Sequence, residues 1–319
     1  MQSAMKLSLC ARRWWVGAAF TLAVVSASGV AHGQTLTSAP SVALDRFSPA
    51  EAGSGWFALD ALDLRGDWRW TASVVTDEAY RPLVLRAADG SVAGNVVTNQ
   101  LATYVQGSVV VRDRWRFALS LPIFLVESGA TVAVSGYGYP TPASGIGDPR
   151  LGADVRLFGD ERGRVVGAAG LQADVPLFIG SSSYGREGTL RLRPHFSIAG
   201  RQSIWSYASR IGILAHLPRE LESELPLGTS VEVAAAAGAY LWRDQILIGP
   251  EIYGSTMIDG DGPFVARSSP LEALLGAHYL NADGFGAGLG LGAGLVQATG
   301  TPPWRLLASF NYTPGSNVQ

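Results

Sequence analysis

Leu64-Arg65-Gly66-Asp67-Trp68-Arg69-Trp70-Thr71-Ala72-Ser73-Val74, residues 64–74, changes character at every step. The even positions are Leu64, Gly66, Trp68, Trp70, Ala72 and Val74, and the odd ones are Arg65, Asp67, Arg69, Thr71 and Ser73. Only an extended chain puts alternate residues on opposite faces, so the stretch reads as a strand with one apolar and one polar wall. The same period recurs at 115–125, with Trp115, Phe117, Leu119, Leu121, Ile123 and Leu125 on one side. At 150–157, Leu151, Ala153, Val155 and Leu157 alternate with Arg150, Asp154 and Arg156, and at 190–198, Leu190, Leu192, Phe196 and Ile198 alternate with Arg191, Arg193, His195 and Ser197. No helix gathers any of these sets on one stripe.

The template, carried outward, predicts twelve strands near 62–75, 96–111, 115–126, 149–158, 165–177, 190–199, 204–217, 229–242, 246–258, 269–280, 285–297 and 304–313. Their connections alternate in length. The short ones carry turn residues, such as Asn281-Ala282-Asp283-Gly284. The long ones, among them 76–95 and 127–148, all fall at the opposite end. Alternating short and long loops on an even number of antiparallel strands predict an all-β, up-and-down transmembrane β-barrel. Both chain ends are then expected at the short-turn end.

Composition narrows the class. The 319 residues are 47% hydrophobic and 16% charged, with 39 glycines and a mean hydropathy of +0.18. Disordered and collagen-like chains are excluded, and beyond the leader no apolar run reaches the ~18 residues of a membrane helix. Residues 1–33 carry Lys6, Arg12 and Arg13, an apolar stretch from Trp14 to Val25, and Ala31-His32-Gly33 before Gln34, the pattern of a cleaved signal peptide. The single Cys10 lies inside it, which leaves neither a disulfide nor a thiolate metal site. Of 24 basic residues three fall in the leader, and the remaining 21, all arginine, face 26 acids. That mild acidity argues against a nucleic-acid partner. The expected organisation is a signal peptide at 1–33, a periplasmic or lumen-mouth segment at 34–61, the barrel at 62–313 and a tail at 314–319.

Aromatic residues indicate which wall faces out. Trp115, Trp205, Tyr279, Phe285 and Tyr312 share the parity of their strand's apolar face and lie at its short-turn end, and Trp304 lies at the other. Two rings of aromatics flanking an apolar band are the mark of membrane interfaces. With an export signal, they predict the outer membrane of a Gram-negative bacterium, with its lipid and the barrel-assembly machinery as partners.

The chain resembles the N-terminal barrel of OmpA-like bacterial outer-membrane proteins. The likeness rests on Ala43-Leu44-Asp45-Arg46-Phe47 leading to Gly55-Trp56-Phe57, on Gly147-Asp148-Pro149-Arg150-Leu151, on 249–255 (Gly-Pro-Glu-Ile-Tyr-Gly-Ser) and on 270–279 (Pro-Leu-Glu-Ala-Leu-Leu-Gly-Ala-His-Tyr). It covers most of 43–313. Longer members add a peptidoglycan-binding domain, an activity the resemblance does not bring to a chain ending at Gln319. Phe310 and Tyr312 are the candidates for the last-strand aromatic that the assembly machinery reads.

Facing polar walls inward gives the expected lumen lining. By parity it contains Arg65, Asp67, Arg69, Arg116, Arg150 and Asp154, then Arg156, Asp174, Arg191, Arg193 and His195. Beyond these come Arg210, His216, Glu232, Glu251, Glu272, His278 and Arg305. Two readings follow. One is a narrow, water-filled passage for small solutes, with mixed charges setting selectivity and loops 76–95 and 127–148 limiting entry. The other is a non-conducting structural or surface-exposed barrel whose charges pair internally. In the strand 285–296, Gly286, Gly288, Gly290, Gly292 and Gly294 all face inward, leaving room for a solute or for another part of the chain, with 34–61 the candidate. Passive transport is the leading expectation, with no cofactor, no metal site and no catalysis. A hydrolase built on His216 with Glu220, Glu222 and Glu224, or a cation at Asp259-Gly260-Asp261-Gly262, is the minor reading.

Overall fold

The computed structural model describes residues 37–38, 43–44, 46–86, 92–134, 137–159, 164–177, 184–217, 228–259 and 262–314. The leader, Glu220, Glu222, Glu224, Gly260 and Asp261 lie outside them. Twelve strands build the wall: β1 (Trp68–Arg86), β2 (Val92–Val111), β3 (Trp115–Gly129), β4 (Arg150–Phe158), β5 (Val166–Asp174) and β6 (Leu190–Gln202). The second half comprises β7 (Trp205–Leu217), β8 (Ser230–Leu241), β9 (Ile246–Met257), β10 (Leu271–Leu280), β11 (Phe285–Val296) and β12 (Trp304–Tyr312). Each pairs antiparallel with the next, and β12 returns to β1 with Tyr312 opposite Ala72, so the sheet closes. Closure leaves no open edge, the condition for a sheet to sit in hydrocarbon.

The burial pattern is that of a soluble barrel turned inside out. Leu289 is 71% exposed and Trp68 72%, whereas Arg305 is 0%. Trp115, Phe117, Leu151, Ile211, Val233, Leu275, Leu291 and Leu306 continue the exposed apolar wall around the circumference. Leaving one such side chain in water rather than burying it costs about 1.5–3 kcal/mol. A whole belt of them is stable only against lipid.

All twelve predicted strands exist, but the first is displaced. The expected 62–75 becomes Trp68–Arg86. Positive φ values at Leu62 (54°) and Gly66 (112°) break the extended chain there, and both Leu62 and Leu64 are buried away from the outer wall. At the other end β1 and β2 run through most of the predicted loop 76–95. Thr76-Asp77-Glu78 is polar on both sides, so the alternation that marks a strand half-buried in lipid is absent there. Bulges follow between Tyr80 and Leu83, beside Arg81 at φ 50°. Loop 127–148 likewise holds the tail of β3 and two short strands, Val132–Val134 and Tyr137–Tyr139.

The short-turn end has the expected chemistry. Arg112 and Asp113 both take positive φ in the β2–β3 hairpin, the twist that suits a tight connection. At the β10–β11 turn the Asn281 Oδ1 accepts from the Asp283 N–H at 3.1 Å, and Gly284 supplies φ 89°. Trp115, Trp205, Tyr279 and Phe285 are exposed at this end, and half-buried Tyr312 packs on Phe285 at 4.6 Å. Trp304 stacks on Tyr80 at the long-loop end, 5.2 Å between centroids.

Replacing outward Leu291 by Arg sets a guanidinium against the hydrocarbon near the middle of β11. The expected loss is about 2–4 kcal/mol in denaturant unfolding from lipid vesicles. An unchanged midpoint would place this wall somewhere other than in lipid.

Candidate functional site

The lumen of the barrel is occupied by its own chain. Residues 43–44 and 46–64, ahead of β1, pass down the inside from the long-loop end to the short-turn end. At the top, buried Leu44 packs with Leu83, Val96, Val97, Tyr139 and Tyr184, and its N–H donates to the Tyr184 carbonyl at 3.0 Å. Nearby, Thr37–Ser38 pairs in parallel with Tyr137–Gly138. Of the expected segment 34–61, the described residues 43–44 and 46–61 thus lie within the lumen, entered from the long-loop side, in the space that the inward glycine row leaves for another part of the chain.

Deeper in, the wall's polar side chains hold the segment by its backbone. The Arg150 guanidinium donates to the Ser48 hydroxyl and, at 2.7 Å, to the Pro49 carbonyl. Gln106 donates to the Ala50 carbonyl at 3.1 Å and Ser108 to the Ala52 carbonyl at 2.9 Å. Glu51 accepts from Gln172 at 2.6 Å. After a tight turn the chain continues with Trp56 and Phe57, where the carboxylate of Glu251 accepts both the Phe57 and the Ala58 N–H groups at 2.8 Å. Near the short-turn end Asp60 pairs with Arg116 at 2.8 Å, and Asp63 pairs with Arg69 at 3.0 Å.

Glycines make the space for the aromatic rings. A Cβ on Gly290 would meet the Phe57 ring at 2.6 Å, one on Gly276 at 3.1 Å, and one on Gly238 would meet Trp56 at 2.8 Å. The inward glycine row of β11 thus accommodates the segment at Gly290. The Phe57 ring also lies 4.4 Å from that of His278.

Most predicted lining residues are buried in paired clusters. Arg116 bridges Asp60 and Asp154, each at 2.8 Å, and Asp154 also meets His195 at 2.9 Å. Arg305 pairs with Asp77 and with Glu272 at 3.1 Å, and Tyr253 donates to Glu272 at 2.8 Å. Arg193 contacts Glu232 at 2.9 Å and Asp174 at 3.5 Å. Arg191 reaches Glu187 at 3.2 Å, and Glu187 meets His216 at 3.0 Å. Burial pushes the Glu187 carboxyl up, but the His216 hydrogen bond and the Arg191 charge outweigh it and hold it below the usual range. Arg156 is half-buried, in register with Ala168. Arg210 forms no ion pair among the described residues, and its buried Nη1 has no hydrogen-bond partner there.

Two predicted lining residues are elsewhere. Arg65 and Asp67 precede β1, where parity no longer applies: Arg65 is exposed and paired with Asp63 at 2.9 Å, and Asp67 is exposed. Ser48, Glu51 and Asp60 are not legible as lumen residues because the lumen segment has no period, whereas Arg46, Phe47, Trp56 and Phe57 belong to the stretch proposed to fill it. Asp77 lies beyond the expected strand end at 75, although its odd parity places it inside. Asp148 and Glu187 sit just beyond strand ends.

Two cavities flank the segment in its long-loop half. One, of about 70 Å³, is lined by Arg46, Ser48, Arg191, Arg193, Arg210 and Glu232 among others. The second, of about 60 Å³, shares Ser48, Arg191 and Arg193 and adds Tyr104, Phe124 and Arg150.

No family model matches the sequence, and no curated protein does. Among solved structures, the chain is similar to an outer-membrane channel from Pseudomonas putida F1, with a TM-score of 0.60 and 11% identity over 78% of this chain and 96% of that one. The NanC porin scores 0.47 at 7% identity over 77% and 98% of the two chains, and the KdgM porin 0.45 at 9% over 76% and 98%. The first likeness establishes the twelve-stranded outer-membrane barrel fold.

Replacing Glu251 by Ala leaves two lumen N–H groups without an acceptor, a loss of about 1–3 kcal/mol for each group left unsatisfied. Hydrogen exchange at Phe57 and Ala58 should accelerate while exchange in β9 stays slow. Asp63 gives a second test. Burial raises its carboxyl pKa, but Arg65 and Arg69 outweigh that and hold it at about 2. Its stabilisation is then present above the unfolded value of about 3.9 and is lost as pH falls toward 2. Thermal melts of the wild type should decline more steeply through that window than melts of Asp63→Asn.

Proposed function

We propose that the protein is an outer-membrane channel through which small solutes pass by diffusion, and that residues 43–64 are its gate. The observation that carries this is the way the segment is held, by exchangeable polar contacts to the wall and with cavities beside it. The neutral hydrogen bonds contribute about 0.5–1.5 kcal/mol each and those to charged side chains about 1.5–3, so the segment yields when water enters to replace them. The sheet's own ladder does not depend on the segment, so it can yield without the barrel opening. Displacing it exposes a passage lined by Arg116, Asp154, Arg193, Glu232 and Arg305.

The outward apolar wall and the aromatic rows favour the outer membrane, reached through the leader at 1–33, with lipid and the assembly machinery as partners. A relation to OmpA-like barrels rests on the short motifs alone. Those motifs fit the channel reading, since Phe47, Trp56, Phe57, Arg150, Glu251 and His278 all belong to the segment or to its seat. A transport role rather than a catalytic one is favoured by the charges being spent on pairing and docking. A second reading, a non-conducting structural barrel, is favoured by the apolar burial of Trp56, Phe57, Leu59 and Leu62.

A reversible tether separates the two. A Cβ on Gly53 would stand 3.7 Å from the Thr71 Cβ, within disulfide reach, and because Gly53 takes φ 97°, where a side chain is strained, the Gly53→Cys single variant is the folding control. Gly53→Cys with Thr71→Cys should be silent in planar bilayers when oxidised and conduct in discrete steps after reduction. Silence in both states, and in the wild type, would leave the structural reading; equal conductance in both would remove the segment as gate.

A further inference from the structure

The cavity of about 70 Å³ is unbalanced in charge. Four guanidinium groups line it, Arg46, Arg191, Arg193 and Arg210, against the carboxylates of Glu232 and Glu272. Glu272 is already held by Arg305 and Tyr253, and Glu232 by Arg193. Arg210 is left over. A charge inside a protein is costly to desolvate, and such a group is normally held by a partner at contact distance. The buried Nη1 of Arg210 has no hydrogen-bond or close ion-pair partner among the described residues, and although the Glu232 charge acts on it from farther off, this leaves a donor to offer an anion in the cavity.

We propose that this cavity is a binding subsite for a small oxyanion, the carboxylate or phosphate end of a solute that the channel admits. The claim deepens the channel reading and rests on it for the solute's route, while the binding is measurable without transport. A guanidinium presents paired N–H donors that match two oxygens of such a group, which favours oxyanions over a spherical halide. The volume holds about two waters' worth of ligand, enough for the charged head and not for a whole sugar or amino acid. The site is shared between the two parts of the molecule. Arg46 and Ser48 come from the lumen segment, and Arg191, Arg193 and Arg210 from β6 and β7. Because Ser48, Arg191 and Arg193 also border the second cavity, an anion seated here touches the contacts that separate the two spaces.

The test uses the full mature chain refolded in detergent. Thermal unfolding is followed against sodium acetate and, separately, inorganic phosphate, with sodium chloride holding ionic strength constant. The melting temperature should rise with log concentration for at least one oxyanion, as a ligand specific to the folded state requires. Arg210→Met should weaken that binding about tenfold or more while folding normally in chloride, since a charge-assisted hydrogen bond is lost. Glu232→Gln should strengthen binding several-fold by removing a competing carboxylate, which keeps the proposal testable even where Arg210→Met fails to fold. Acetate or phosphate binding identifies which oxyanion the site takes. No dependence on either anion in the folded wild type, or undiminished binding in Arg210→Met, overturns the subsite. Silent bilayers with binding intact would defeat the channel reading alone, and conductance without binding would defeat this proposal alone.

Discussion

A closed barrel in lipid must resolve its polar groups inside itself, and that constraint organises this molecule. The wall turns its apolar side chains outward and so carries its arginines and carboxylates into a narrow interior where most of them are buried. Coulomb attraction there is strong, but desolvation is costly, and each charge needs a partner placed with good geometry. Strand pairing supplies some of these partners, as where Arg116 and Asp154 stand opposite each other on β3 and β4. It does not supply enough. Arg150 turns to the backbone of 48–49, Arg116 takes its second acid from Asp60, and Glu251 finds its donors in the Phe57 and Ala58 amides. The lumen segment is thus the complement that the wall's interior chemistry demands.

This division of labour explains what could be read in the sequence. The strands were legible because each has water or protein on one side and lipid on the other, and Trp115-Arg116-Phe117 records that in three residues. Where the alternation lapses, the record fades. Thr76-Asp77-Glu78 is polar at every position and so reads as loop, although it is strand paired with Leu306 to Ala308. The lumen segment has no period at all, since it is surrounded on every side and follows no regular repeat.

The functional residues divide along the same line. His195, Arg193, Glu251 and Arg305 could be placed from parity alone, since an inward position in a barrel of this size has only the lumen to occupy. Their partners could not. Asp60 and Glu51 look like ordinary loop acids until the fold brings them across the interior. The glycines of β11 gave an indirect signal: a row of missing side chains implies something close by, and the Phe57 ring is what lies against Gly290. The occupant's identity needed the structure, because a void says nothing about which segment fills it.

The path of residues 43–64 also settles a question of sidedness. Twelve strand crossings, being even, return a chain to the side on which it began. The traverse through the lumen adds one more, so Thr37 and Tyr312 stand at opposite ends of the barrel. The seam of β12 on β1 therefore closes the sheet around a thread that runs the length of the lumen, so one chain supplies both the wall and what fills it.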